Sequence, residues 1–369
     1  MADELAAAIE ASDKGKALDL FDAAMGKGSK PWDVHLSLFP PVQRVLNPPY
    51  INPHLPKMYR VCREFIPYLK TGEIGPLVRL EIGEYARRSK LEKPPVLKPV
   101  KRTVSFDEIE ASIGADDRDK TVALFSAFYE REGGKEFARR LLLLGSGYLD
   151  QSLGHSVSCT AFILLEMLDR KGQDPLPALF ALAHYFCKGR FHTTPEFAAP
   201  RGTFSTDGLA QEALRATSTL GFAGIHHTIT LYAVERVSHL LTADERQSLL
   251  VVWKAFTGRK EIHKVSLREE GAQPTANYGR FFKTFSELEP TVAASSLVAL
   301  ADTEARRRTL GRFLIKAVCD IYDGSYNPHY LTALGAALWA VNRFAGNCEV
   351  AANALYQYLD FFFGALKAK

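Results

Sequence analysis

The sequence predicts an all-α protein, and three observations carry that prediction. Apolar residues recur at three- and four-residue intervals over long stretches, sustained alternation of period two is missing, and alanine and leucine fill the stretches while Gly and Pro fall largely between them. With 369 residues, 47% hydrophobic and 24% charged, the chain can bury a large core and lacks the compositional signature of disorder.

Taken in order, the first amphipathic stretch is Glu4–Met25. Acidic residues stand where a secretory signal needs a basic segment, so it reads as the first folded helix of a cytoplasmic protein. Helical periodicity then marks Asp119–Glu132, Glu136–Leu149, Cys159–Lys171, Asp174–Lys188, Ile229–Leu241, Glu245–Phe256, Ala305–Tyr322 and Val350–Leu366. The apolar stretch Tyr330–Val341 is too short for the roughly 20 residues a bilayer requires, so it is a core helix and no transmembrane segment is expected. Ser89–Thr103, rich in proline and lysine, reads as an extended connector. The expected organisation is a first helical unit (1–88), a proline-rich basic connector (89–103) and a main helical-repeat region (104–369) packed with the first unit. His263–Arg280 is either a loop over a pocket or a further connection.

A weak internal repeat runs through these elements. Ile9-Glu10-Ala11-Ser12 recurs as Ile109-Glu110-Ala111-Ser112, and His54 finds its counterpart at His155, offsets of 100 and 101 residues. Tyr148 and Tyr322 each stand seven residues before a histidine, His155 and His329, and Asn52-Pro53-His54 recurs as Asn327-Pro328-His329. A fourth copy places His227 seven residues after Leu220. Repeats of this kind stack helical hairpins into one superstructure and bring equivalent side chains to a common surface or around a central cavity.

Each of these histidines follows a turn and heads an apolar helix. A helix amino terminus favours the neutral imidazole, the form that ligates metals and acts as a base near neutral pH. His54, His155, His184, His227 and His329 are therefore the candidate metal ligands, and His155, His227, His329, Tyr148 and Tyr322 the candidate catalytic residues. Of the adjacent His226 and His227, which point about 100° apart on a helix, the alignment favours His227. His192 with Glu196 extends the cluster, and Asp150, Glu166, Asp320, Asp323 and Tyr326 are near enough in sequence to orient an imidazole. Iron, copper and zinc all suit three or more imidazoles.

Other chemistries are disfavoured. There is no G-x-G-x-x-G after a strand, no Walker lysine motif, no H-E-x-x-H, no G-x-S-x-G and no ferritin-like E-x-x-H pair. The five cysteines are odd in number and widely spaced, which argues against a disulfide framework or a zinc–thiolate cluster. The net charge of +4 is spread along the chain, so no nucleic-acid partner is expected.

The histidine-headed apolar helices, as in NPHLPKMYRVC, LGHSVSCTAF, IHHTITLYAV and NPHYLTALGAA, resemble the questin oxidase-like family over about Asn47 to Phe344. That resemblance implies an all-helical oxidoreductase associated with Baeyer–Villiger-type oxidation of aromatic polyketides; no catalytic residue is carried over from it. The combined expectation is an oxidoreductase acting on a hydrophobic or aromatic small molecule in a histidine-lined cavity. Iron or another transition metal, with or without a nicotinamide electron donor, is compatible with it. Phe65, Phe162, Phe222, Tyr232 and Trp339 lie on or beside the histidine-bearing helices and would contact a planar ligand. The alternatives are a helical-repeat scaffold for a protein partner and a haem or metal carrier.

Overall fold

Capping chemistry sets many of the helix starts in the computed structural model, which describes residues 2–170, 172–189, 204, 208–258, 277–287, 289–298, 300–322 and 327–368. The protein is all-helical, with no strand among the described residues. Two compact units are distinguished: Met1–Arg60, Val78–Pro200 and Ala233–Leu249 form the first, and Val61–Leu77, Arg201–Tyr232 and Leu250–Lys369 the second. Among the described residues no helix is long and apolar enough to cross a membrane.

In chain order the helices are α1 (Ala2–Glu10), α2 (Lys14–Gly26), α3 (Pro31–Ser37), α4 (Phe39–Val42), α5 (His54–Phe65), α6 (Ile74–Ala86), α7 (Phe106–Gly114), α8 (Arg118–Glu132), α9 (Gly134–Ser146), α10 (His155–Asp169) and α11 (Leu176–Lys188). They continue with α12 (Leu209–Ser218), α13 (Gly221–Val237), α14 (Ala243–Thr257), α15 (Tyr278–Ser286), α16 (Pro290–Val298), α17 (Glu304–Ile321), α18 (His329–Arg343) and α19 (Cys348–Lys367).

In the first unit the two IEAS segments occupy equivalent places. Each helix of that sequence, α1 and α7, ends in a turn with one left-handed residue, Ser12 (φ 57°) or Asp116 (φ 54°). The next helix is then capped by an aspartate, Asp13 accepting from Lys16 N at 3.0 Å and Asp117 from Lys120 N at 3.0 Å. Helix α8 packs on α7 and α11, and α9 packs on α10. Their facing stripes bury Phe125, Phe137, Phe162, Phe180 and Phe186, each a large ring whose removal from water drives the packing.

The start of α10 is held in place from two sides. Gly154 caps it at φ 78°, a conformation that an L side chain rarely adopts. Gly145 on α9 faces it so closely that a Cβ there would come 2.5 Å from the Ser156 carbonyl oxygen. Ser156 Oγ uses that approach to donate to Gly145 O at 2.6 Å. The connector 89–103 holds no helix; its first residues are anchored by Leu46 N–H to Ser89 O at 2.9 Å and Leu91 N–H to Arg44 O at 2.7 Å.

The second unit is built around α19, against which α12, α16 and α18 pack. Buried amides tie these helices together: Gln357 Nε2 donates to Ala216 O and Thr219 O at 2.8 and 2.6 Å, and Asn353 Nδ2 to Ser218 Oγ at 2.8 Å. A Cβ at Gly224 would lie 1.9 Å from Thr219 O, so only glycine fits in the first turn of α13.

Candidate metal centre

Each unit contains one buried histidine pair whose Nε2 atoms face each other. In the first unit the pair is His54 and His155, the first residues of α5 and α10, with Nε2 atoms 2.8 Å apart. In the second unit it is His226, on α13, and His329, the first residue of α18, with Nε2 atoms 3.0 Å apart. All four rings are at most 3% exposed.

The two pairs differ in where their protons reside. Around His54, Arg88 donates from its guanidinium to Asn47 Oδ1. A guanidinium can only donate, so the amide is oriented and its Nδ2 faces His54 Nδ1 at 3.3 Å. His54 Nδ1 is thus the acceptor and the ring proton is on Nε2. His155 Nδ1 lies 2.7 Å from the carbonyl oxygen of Ser152 and therefore carries a proton, leaving a lone pair on Nε2. The first pair is a complete neutral hydrogen bond from His54 Nε2–H to His155 Nε2.

The second pair is oriented differently. His226 Nδ1 donates to the carbonyl oxygen of Phe222 at 2.6 Å. His329 Nδ1 lies 2.8 Å from Asn327 Oδ1, and the same Oδ1 accepts the His329 backbone N–H at 3.0 Å, which fixes it as oxygen. With both Nδ1–H groups donating outward, neutral rings would turn two Nε2 lone pairs toward each other across 3.0 Å. Neutral imidazoles repel in that arrangement, and a proton or a metal cation between them removes the repulsion. An imidazole that gives its other N–H to a carbonyl or amide oxygen is the usual state of a histidine metal ligand.

An exposed aromatic ring stands beside each pair. Phe222, 47% exposed, has its ring centroid 4.7 Å from His226 and 5.0 Å from His329. Tyr50, 59% exposed, is 6.5 Å from His54. Among the described residues these are two of three large exposed apolar side chains, the third being Val96.

Behind the first pair, α5 and α10 run in the same direction and meet at successive rungs. One turn along, the fully buried Lys57 and Cys159 face each other. Further along, Arg60 donates to Glu166 at 3.0 Å and to Asp169 at 2.5 Å. Arg170 also engages Glu166, at 2.5 Å. Burial lowers the Lys57 ammonium from its ordinary value, and the Cys159 thiol opposes that shift; burial raises the thiol itself.

Of the other candidates from sequence, His227 is fully buried but lies with its ring 4.8 Å from Phe256, and Trp253 Nε1 donates to its carbonyl oxygen at 2.9 Å. His184 is half-buried on α11, its pKa lowered by burial and by Arg118. Tyr148 is buried against Phe186 at 6.3 Å, and Tyr322 follows the last turn of α17. Glu166 serves an ion-pair network, Asp320 is exposed and accepts from Tyr278 at 2.7 Å, and Asp150 is exposed. His192, Glu196, Asp323, Tyr326 and all of the His263–Arg280 segment before Asn277 lie outside the described residues.

Sequence reasoning passed over His226, Asn47 and Asn327. His226 lies four residues after Phe222, the spacing that puts its Nδ1 under the Phe222 carbonyl. The repeated Asn-Pro-His contained Asn327 but not its role, because Asn52 in the first copy contributes only a backbone oxygen, to His54 N at 2.7 Å. No protein-family model, no curated protein and no solved structure matches this chain.

Proposed function

We propose that the protein is a metal-dependent oxidoreductase acting on a hydrophobic, aromatic small molecule, with His226 and His329 as its primary metal ligands. The observation that carries this reading is the pair of opposed Nε2 atoms, 3.0 Å apart, each ring backed by an outward Nδ1 contact to an oxygen. Imidazole nitrogen is the donor type that suits iron, copper and zinc. His54, His155 and His329 each head a helix, in keeping with the helical-repeat reading, whereas His226 and the expected His227 lie in the second turn of a helix that starts at Gly221.

A redox-active metal would supply electron transfer to dioxygen, and the chain would do the rest. Phe222 offers a ring face for a planar substrate next to the pair. Neutral imidazoles exchange a phenolic proton without leaving a lasting charge in an apolar site. The resemblance to the questin oxidase-like family points to the same substrate class. The burial of all four rings argues against a scaffold, which would present its repeated residues to solvent.

The test is elemental analysis of protein purified without added metal, beside a His226→Ala, His329→Ala double variant, with oxygen uptake measured on a panel of planar phenols and quinones. Stoichiometric metal lost in the variant at unchanged helicity, with oxygen uptake by the parent protein, is the expected result. Metal without turnover would make the protein a carrier, and unchanged metal in the variant would remove these histidines as ligands.

A further inference from the structure

The rung behind the first histidine pair places a primary amine and a thiol together in a site with no exposure. Lys57 and Cys159 are both 0% exposed. Lys57 Nζ makes no regular hydrogen bond, and the one titratable group that acts on it is the Cys159 thiol. A buried lysine without a carboxylate is costly, and this amine serves neither a salt bridge nor a helix end. The two residues lie on α5 and α10, three and four residues past His54 and His155, so the contact that joins those histidines at 2.8 Å also sets this one.

We propose that Lys57 and Cys159 form a redox-controlled covalent link, a sulfenamide between Nζ and Sγ, made when a peroxide oxidises Cys159. This inference rests on the first unit alone and is independent of any bound metal.

The chemistry balances with one hydrogen peroxide per link. The thiol passes its proton to the amine, and the resulting thiolate attacks a peroxide oxygen, giving Cys159–SOH and hydroxide. With the thiolate gone, the ammonium has lost its counter-charge in a dry site and gives its proton to that hydroxide, forming the first water. The neutral amine then attacks the sulfenyl sulfur, as amide nitrogens do in known sulfenamides. The N–S bond forms, the S–O bond breaks, and the departing hydroxide takes the second N–H proton to form the second water. Overall, amine, thiol and hydrogen peroxide give the sulfenamide and two waters; sulfur is oxidised by two electrons and peroxide is reduced by two. A thiol reductant reverses the link by attack at sulfur. The bond would lock the α5–α10 rung just behind the histidine pair.

The experiment treats the full-length folded chain with hydrogen peroxide, blocks free thiols, digests it and reads the peptides by mass spectrometry. The expected result is a peptide pair joined through Lys57 and Cys159 whose mass equals the two peptides less two hydrogens, separated again by dithiothreitol. Lys57→Met should abolish the pair and send Cys159 on to sulfinic acid. Chain unfolded in denaturant before oxidation should give no link, because the pairing depends on the α5–α10 contact. Three results would overturn the proposal: Cys159 sulfinic acid in the unaltered chain without a link, a link carrying an added oxygen atom, or an unreacted thiol under excess peroxide. Each is read on the unaltered protein, so the outcome stands even where Lys57→Met fails to fold.

Discussion

Asn327 holds no metal in the proposed site, yet its substitution should weaken metal binding in a way that only an orienting role explains. Its Oδ1 accepts two bonds from one residue, His329 Nδ1–H at 2.8 Å and His329 backbone N–H at 3.0 Å. Asn327→Ala removes both, and the ring is then free to place its proton on Nε2, the atom that faces His226. Loss of such a partner to a ligating histidine typically costs 10- to 100-fold in affinity, about 1.4 to 2.7 kcal/mol. Loss of the cap at the start of α18 costs a further ~1 kcal/mol of fold stability. Asn327→Asp keeps the oxygen and adds negative charge, so it should bind metal at least as tightly as the parent protein. Competition of zinc(II) against a chromophoric chelator measures the affinities, with circular dichroism following the fold. Equal affinities for the parent, Ala and Asp proteins would refute the proton assignment, and loss of helicity in step with metal would reduce Asn327 to a cap.

Arg88→Met frees the Asn47 amide to turn its oxygen toward His54 Nδ1, so a second equivalent of zinc(II) should bind by titration calorimetry; an unchanged stoichiometry would contradict the role given to Arg88. Phe222→Ala should leave the melting temperature nearly unchanged because the ring is 47% exposed. It should also weaken binding of planar phenols by about 0.5–1.5 kcal/mol in calorimetry. Gly335→Val places side-chain carbon where a Cβ already meets Val61 Cγ1 at 2.5 Å; denaturant unfolding should show about 1–3 kcal/mol of destabilisation. The bidentate Arg312 guanidinium, at 2.6 and 2.7 Å, holds the Glu73 carboxyl below its ordinary pKa. The stability that Glu73 contributes is therefore fully present above its unfolded pKa and is lost as pH falls through its folded pKa. Glu73→Gln should be less stable at neutral pH and show a smaller acid loss in thermal melts.

The helices were legible in the sequence because each buries one stripe, and a stripe is a local pattern. The structure adds that Asp13 and Asp117, at equivalent places after the two IEAS repeats, cap the helices that follow. The meeting of His54 with His155 fits the repeat offset of 101 residues, since equivalent positions in stacked repeats tend to share a surface. The partner on α13 was not legible in this way, because adjacent His226 and His227 differ only by a rotation of about 100°, and what fixes that rotation is the packing of the whole helix. Trp253 and Phe256 engage His227, which leaves His226 to meet His329. The proton positions were beyond sequence as well. They depend on which end of a side-chain amide faces a ring, and Arg88 reaches Asn47 from 41 residues away.

That last dependence separates the two pairs. Each contains two imidazoles and one asparagine, and in neutral form each pair has two ring protons. In the first pair the Asn47 amide nitrogen faces the ring, which forces one proton inward to the Nε2···Nε2 contact and closes it as a hydrogen bond of 2.8 Å. In the second, Asn327 presents oxygen and both Nδ1 protons are drawn outward, behind an Nε2···Nε2 contact of 3.0 Å. The orientation of each amide is set by a group that can only donate, the Arg88 guanidinium in one case and the His329 backbone N–H in the other. The residue one bond further out thus decides where the protons of a buried histidine pair reside, and the two pairs among the described residues differ in that residue's orientation.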